Sequence, residues 1–406
     1  MTPPARLAAD IGGTFTDVVL QVGPRRHSAK VLTTPRAPEQ GMLDGIGQVL
    51  AAAGLALPDV GLLVHGTTLA TNALIERRGA RTALLTTTGF RDVLEMGYEK
   101  RYEHYDLNLE LPPPLVPREW RLTVAERMTA QGRVHVPLDM AALEPLAQQL
   151  EAGGIEALAI GFLHSYANDA HERAAGAWLQ QRLPQLHITL SSAVCPEIRE
   201  YERLSTACAN AYVQPLMASY LARLDTQLAA QGFSGALMLM TSGGGLTTLQ
   251  TARAYPVRLV ESGPAGGAIL AAGLARALDL PQVLSFDMGG TTAKICFIAD
   301  GQPEHSRSFE VARVWRNLKG SGLPVRIPVT EMVEIGAGGG SIARVDAMRR
   351  IQVGPTSAGS EPGPACYGRG GTQPTVTDAN VVLGRISPQG FAAGTVTLDR
   401  AAADAA

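Results

Sequence analysis

The 406-residue sequence predicts an α/β fold, and three observations carry that reading. Apolar strand-like runs alternate with amphipathic helical patterns over most of the chain. Glycine, 44 of 406 residues, is concentrated in a few loops, at 12–13, 243–245, 266–267, 289–290, 336–340 and 368–371. A strand–turn–strand pattern built on Asp-x-Gly-Gly-Thr occurs twice, at 10–14 and at 287–291.

Residues 6–10 and 16–21 read as two strands joined by a tight glycine turn. A helix is expected over 38–53, then a buried strand at 61–65 that breaks into Gly66-Thr67-Thr68. Residues 69–78 suit a helix and 81–86 the next strand. The stretch 98–124 interrupts the alternation with Pro112-Pro113-Pro114 and reads as a surface excursion. Asp139 is a candidate N-cap for a helix reaching 153, and an apolar strand at 155–163 follows it. A helix at 169–183 and a strand at 187–191 come next. A long helix is expected over 197–231, with Pro215 kinking or interrupting it. A strand at 236–240, an Ala-rich helix opening at Ser262 and a strand at 283–287 complete the alternation. A boundary at 192/193 divides this pattern into an N-terminal domain, 1–192, and a core domain, 193–406.

Composition excludes several function classes. Lys plus Arg is 35 and Asp plus Glu is 37, a formal charge of -2, so no basic stripe is available for a nucleic acid. No apolar run approaches the roughly 18 residues of a membrane span. Met1-Thr2-Pro3-Pro4-Ala5-Arg6 leads straight into a strand without the apolar stretch of a signal peptide. Cys195, Cys208, Cys296 and Cys366 form no CxxC pair, against both a zinc cluster and a disulfide framework. These features predict a cytoplasmic, reduced protein with no nucleic-acid or membrane partner.

The repeated turn is the most informative feature. Ala9-Asp10-Ile11-Gly12-Gly13-Thr14-Phe15-Thr16-Asp17 returns as Phe286-Asp287-Met288-Gly289-Gly290-Thr291-Thr292-Ala293-Lys294. Adjacent glycines let backbone N–H groups curl around phosphate oxygens as a nest. The threonine hydroxyl adds a donor, and an Asp at the strand end can hold a divalent ion, usually through water. One copy is compatible with a plain hairpin. Two copies in equivalent contexts point to a nucleotide clamped from both sides of a cleft.

This pairing resembles the actin, sugar-kinase and heat-shock-chaperone ATPase superfamily, whose fold has two related α/β domains around an interdomain nucleotide cleft. More closely, the sequence resembles the hydantoinase A/5-oxoprolinase family, which includes N-methylhydantoinase and acetone and acetophenone carboxylase subunits. The resemblance is carried by ADIGGTFTDVV from Ala9, HGTTLATNALIERRGARTALLTTTGFRDVLEMG from His65 and PEIREYERLSTACANAYVQP from Pro196. It continues through SGPAGG from Ser262, FDMGGTTAK from Phe286, EIGAGGGSIA from Glu334 and GPACYGRGGTQPTVTDANVVLGR from Gly363, in the family's order. Family members carry a further glycine-rich motif beyond this point, so the sequence reads as C-terminally truncated or split, with its second domain incomplete.

By that resemblance Asp10, Gly12, Gly13, Thr14 and Thr16 form the first phosphate hairpin, and Asp287, Gly289, Gly290, Thr291 and Thr292 the second. ATP and Mg²⁺ are the implied cofactors, with Asp10 and Asp287 both catalytic and metal-holding. The implied reaction is ATP-dependent opening of a small cyclic amide (hydantoin, N-methylhydantoin or 5-oxoproline) through phosphoryl activation of the ring carbonyl. A hydantoinase B-type subunit is the implied partner in a hetero-oligomer. A ketone carboxylase subunit, a sugar-type kinase and an inactive fragment are the alternatives.

Other motifs have two readings each. Lys294 is either a phosphate contact or a solvated strand lysine. His65-Gly66-Thr67-Thr68 enters a helix where free N–H groups suit anions, although its threonines could serve only as caps. The glycines of 262–267 either meet a ligand or permit close helix packing. Residues 336–340 read as a substrate- or domain-linking loop, and Glu331 and Glu334 as a surface strand edge. Cys366 reads as a packed small hydrophobe rather than a nucleophile, and His104 and His164 as structural.

Overall fold

The computed structural model describes residues 4–13, 15–34, 37–99, 101–109, 111–290, 292–313, 319–359, 361–391 and 397–406. The chain opens with strands β1 (Ala5–Ile11), β2 (Phe15–Val22) and β3 (Arg25–Leu32), then helix α1 (Pro38–Ala53). Next come β4 (Val60–Thr67), α2 (Leu69–Ile75), β5 (Thr82–Thr87) and β6 (Arg121–Val124). They are followed by α3 (Leu143–Ala152), β7 (Ala157–Gly161), α4 (Ala170–Arg182) and β8 (His187–Leu190). Helix α5 (Glu200–Ala230) leads to β9 (Ala236–Met240), β10 (Leu246–Thr248) and α6 (Ser262–Ala277). Beyond it lie β11 (Gln282–Met288), β12 (Ala293–Ala299), β13 (Val333–Ile335) and α7 (Val376–Val382). The α/β class expected from the alternation is the one observed.

One six-stranded sheet has the order β10-β9-β4-β1-β2-β3, with β4 parallel to both β1 and β9. Its strand β1 buries Ala5, Leu7, Ala9 and Ile11, the period-2 pattern of a strand with one face in the core. A second sheet, β8-β7-β5-β6, is parallel throughout. Every residue of β5 and β7 is buried, as expected of central parallel strands covered on both faces. The unbroken run Ala157-Leu158-Ala159-Ile160-Gly161 is the sequence trace of that position in β7, whereas β5 carries Thr82, Thr86 and Thr87 around Ala83-Leu84-Leu85.

Helix α5 is the spine between the two sheets, packing on β7 and β8 and running past the six-stranded sheet. It buries Leu204, Cys208, Ala211, Met217, Leu221, Leu224 and Leu228. Pro215 lies inside this 31-residue helix and does not end it, contrary to the expected interruption. Tertiary burial along both flanks outweighs the lost hydrogen bond at one position. Strands β9 and β10 lie beyond residue 193 yet complete the sheet that opens the chain. Helix α6 packs Ala268, Ala272 and Ala275 on Cys296 and Ile298 of β12. The opposite face of β11 and β12 leaves Leu284, Phe286 and Phe297 about half exposed.

Candidate functional site

The two Asp-x-Gly-Gly-Thr segments adopt the same turn. In the first, the Gly12 N–H donates to the Phe15 carbonyl at 2.9 Å; in the second, the Gly289 N–H donates to the Thr292 carbonyl at 2.9 Å. The acids stand at equivalent cross-strand positions, Asp10 opposite Asp17 and Asp287 opposite Lys294. Thr14 and Thr291 lie outside the described residues.

Asp10 is the electrostatic centre. Burial holds its carboxyl above the ordinary aspartate range, and the charges of Asp17 and Asp287 push it further, with Lys30 acting weakly the other way. Asp17 is itself neutralised by Lys30, 2.7 Å from its Oδ1. The charge of the second turn's acid is thus felt at the first. Asp10 Oδ1 is buried and accepts no hydrogen bond from the described residues. An unpaired buried carboxylate oxygen costs free energy, so its retention marks a place where a ligand supplies the partner.

Two motifs make room for that carboxylate. Gly66 of β4 pairs with Asp10 in the parallel register, and a Cβ there would stand 2.6 Å from Asp10 Oδ1. A Cβ on Gly263, in the first turn of α6, would stand 3.3 Å from Asp10 Oδ2. The glycines of the segments at 65–68 and 262–267 therefore close around the first acid. The other hydroxyls of these segments serve the fold: Thr68 Oγ1 donates to the Ile11 carbonyl at 3.1 Å, and Thr67 Oγ1 accepts from the Leu69 N–H at 3.2 Å.

Thr16 does not face the turn. It is fully buried, its hydroxyl 3.0 Å from that of Thr33, which donates to the Gly12 carbonyl at 2.9 Å. It supports the first turn from beneath, through Thr33. Thr33 was not legible as part of the site, because only the β2–β3 pairing brings it there.

The glycine run at 336–340, read from sequence as a linking loop, is a buttress. The Gly339 and Gly340 N–H groups donate to the carbonyls of Gly289 and Gly290 at 2.9 and 2.7 Å. Side chains at 339 and 340 would meet the Thr377 and Ser357 hydroxyls at 2.7 and 2.8 Å, so only glycine permits this approach. Thr377, at the start of α7, donates both its N–H and its hydroxyl to the Gly339 carbonyl at 2.8 Å. Lys294 is mostly buried and ion-paired with Glu261, which excludes the solvated-lysine reading. Burial pulls its pKa down and Glu334, its neighbour on β13, opposes that shift. Glu331 is exposed.

His65 lies under the site. It is fully buried, with Nδ1 3.1 Å from the Ala9 carbonyl and Nε2 2.7 Å from the Tyr220 hydroxyl of α5. Burial lowers its pKa to about 4, so it is neutral at pH 7, Nδ1–H donating and Nε2 accepting. It braces β1 and performs no proton transfer there.

Cys366 is fully buried, and its thiol is pushed up to about 12 by burial and by the Asp378 carboxylate. Burial also raises Cys195 and Cys208, to about 11 and about 12, and lifts Cys296. The native chain should therefore show no fast thiol reaction at pH 8, since the thiolate is the reactive form. A colorimetric thiol titration should count four groups only after unfolding; rapid native labelling of Cys366 would restore its nucleophile reading.

Comparison with known proteins follows this geometry. The hydantoinase/oxoprolinase model matches residues 203–406, and the hydantoinase/oxoprolinase N-terminal region matches 6–183. An uncharacterized protein of Methanocaldococcus jannaschii is 40% identical over 389 residues, covering 94% of this chain and 57% of its own. Caprolactamase subunit alpha of Pseudomonas jessenii is 35% identical over 407 residues, covering 98% and 57%. The crystal structure of that ATP-dependent caprolactamase superposes with a TM-score of 0.82 over 98% of this chain and 58% of that one. Nucleotide-free acetone carboxylase superposes at 0.81, with 26% identity, over 100% and 58%. The chain thus spans a little over half the length of these relatives. No described helix is long and apolar enough to cross a membrane. With both family regions matched in order across its length, the chain belongs to the hydantoinase/oxoprolinase family.

Proposed function

We propose that these residues form the nucleotide-binding portion of an ATP-dependent enzyme that opens a small cyclic amide such as a hydantoin, N-methylhydantoin or 5-oxoproline. The carrying observation is the pair of turns closed by the same hydrogen bond, with the charge of Asp287 raising the Asp10 carboxyl and Asp10 Oδ1 left without a partner among the described residues. Backbone N–H groups at 12–13 and 289–290 would receive phosphate oxygens from opposite sides.

Asp10 and Asp287 would hold Mg²⁺. No group of three or more metal-ligating side chains occurs among the described residues, which fits this ion, since Mg²⁺ is commonly held by one or two carboxylates, phosphates and waters. ATP bound there would supply a phosphoryl group for the ring carbonyl oxygen, with ADP as leaving group, and so make the carbonyl carbon open to attack by water. This chain's own contribution is to orient the phosphates and to offset the charge that develops on them. Domains 1–192 and 193–406 would each bring one turn, and a B-type subunit would share the amide chemistry. A ketone carboxylase subunit is the second reading, favoured by the superposition on acetone carboxylase.

Calorimetric titration with Mg-ATP tests the site. Asp287→Ala should weaken binding at least tenfold, about 1.4 kcal/mol, and a folded wild type that takes up no Mg-ATP would overturn the reading. In complex with its partner subunit, ATP turnover should rise with a hydantoin or lactam; stimulation by a ketone with bicarbonate selects the carboxylase reading instead.

A further inference from the structure

Residues 261–263 touch both turns. The Glu261 N–H donates to Thr71 Oγ1 of α2 at 3.1 Å. The Ser262 hydroxyl lies 3.4 Å from the Thr67 carbonyl at the end of β4, and Gly263 lies on the Asp10 carboxylate. The backbone of this segment is therefore fastened to the first turn and its surroundings. The side chain of Glu261 reaches the other way, to an ion pair with Lys294 of β12.

The placement of that lysine is specific. Lys294 stands opposite Asp287 in the β11–β12 register and opposite Glu334 in the β12–β13 register. It is one strand from the second acid and is flanked by carboxylates on both sides. Glu261 is held at φ 63° and ψ 24°, a left-handed conformation that costs free energy for any residue with a Cβ. Glycine would remove that cost, but it could not make the ion pair. Both partners are largely shielded from water, where an ion pair is little screened and where removing one partner strands the other's charge.

We propose that Glu261 is a positioning residue whose ion pair with Lys294 is a strut between the two turns, holding Asp287 at the distance from Asp10 that one Mg-nucleotide requires. The inference rests on the nucleotide-binding reading above. Lys294 acts through Glu261 and does not itself meet the phosphates.

The test uses the full chain in calorimetric titrations with Mg-ATP and in thermal melts. Glu261→Gln and Lys294→Met should each weaken Mg-ATP binding about tenfold or more. Single variants that bind as wild type overturn the proposal.

The neutral double variant Glu261→Gln/Lys294→Met decides between a strut and two independent contacts. A strut predicts that it binds no more weakly than the weaker single variant, whereas multiplying losses would overturn it. A wild type that binds no Mg-ATP refutes the nucleotide reading itself. The strut is then judged on melting alone, where the double variant should melt no lower than the less stable single variant, and additive losses would reject it.

Discussion

Gly66→Ala should abolish Mg-ATP binding, lowering affinity a hundredfold or more, while the protein stays folded. The added methyl would stand 2.6 Å from Asp10 Oδ1, well inside van der Waals contact. Asp10 cannot slide along the strand, because β1 is hydrogen-bonded on both sides, to β2 and to β4. Retreat toward α6 brings it against the backbone at Gly263, where an added Cβ would stand only 3.3 Å from Asp10 Oδ2. What can move is the end of a short side chain, by rotation. Little packing is then lost, so the stability cost should stay within about 1 kcal/mol. A hundredfold loss corresponds to about 2.7 kcal/mol of binding free energy and falls on the carboxylate that would hold the ion. Gly47→Ala is the control: nothing lies within 4 Å of its added methyl on the exposed face of α1, and it should leave affinity unchanged. Wild-type affinity in Gly66→Ala would remove Asp10 from the site.

The parts of this site that were legible in the sequence are those that a local pattern encodes. Adjacent glycines after an Asp at a strand end dictate a tight turn wherever they fall, so both hairpins could be read without a partner in view. Strand β7 was visible because burial on both faces leaves an unbroken apolar run, and β5 because its apolar centre Ala83-Leu84-Leu85 is flanked by β-branched threonines. Strand β3 was not, since Arg25-Arg26-His27-Ser28-Ala29-Lys30 is polar, as an edge strand that packs little of its surface tends to be. Other features depend on pairings between residues far apart. The buttress at 336–340 exists only because β13 pairs with β12 and brings that loop onto Gly289 and Gly290. Tyr220 meets His65 across 155 residues, and nothing in either local sequence announces the bond. Glu261 directly precedes a motif read from Ser262 onward, and its backbone geometry is set by contacts on both sides rather than by its own propensity.

Asp10→Asn should raise the melting temperature of the unliganded protein at pH 7 by a few degrees, while reducing Mg-ATP affinity a hundredfold or more. The sign follows from the direction of the pKa shift. Burial and the charges of Asp17 and Asp287 raise the folded-state value above the 3.8 of an unperturbed aspartate. The folded chain therefore holds this proton more tightly than the unfolded chain does, and stability falls as pH rises from 3.8 through the raised value. Above that interval the full penalty is present; below 3.8 it vanishes. An amide carries no charge, so the gain from Asp10→Asn should be full at pH 7 and shrink toward zero near pH 3.5. An amide is also a far weaker metal ligand than a carboxylate, so the same change should remove the ion and with it the nucleotide. Melting curves at the two pH values, paired with calorimetry, read both effects from one variant. A variant less stable than wild type at pH 7 would mean that Asp10 is satisfied in the unliganded fold. A stabilised variant that has lost Mg-ATP would show the opposite: the chain tolerates an uncompensated carboxylate because the nucleotide's ion compensates it.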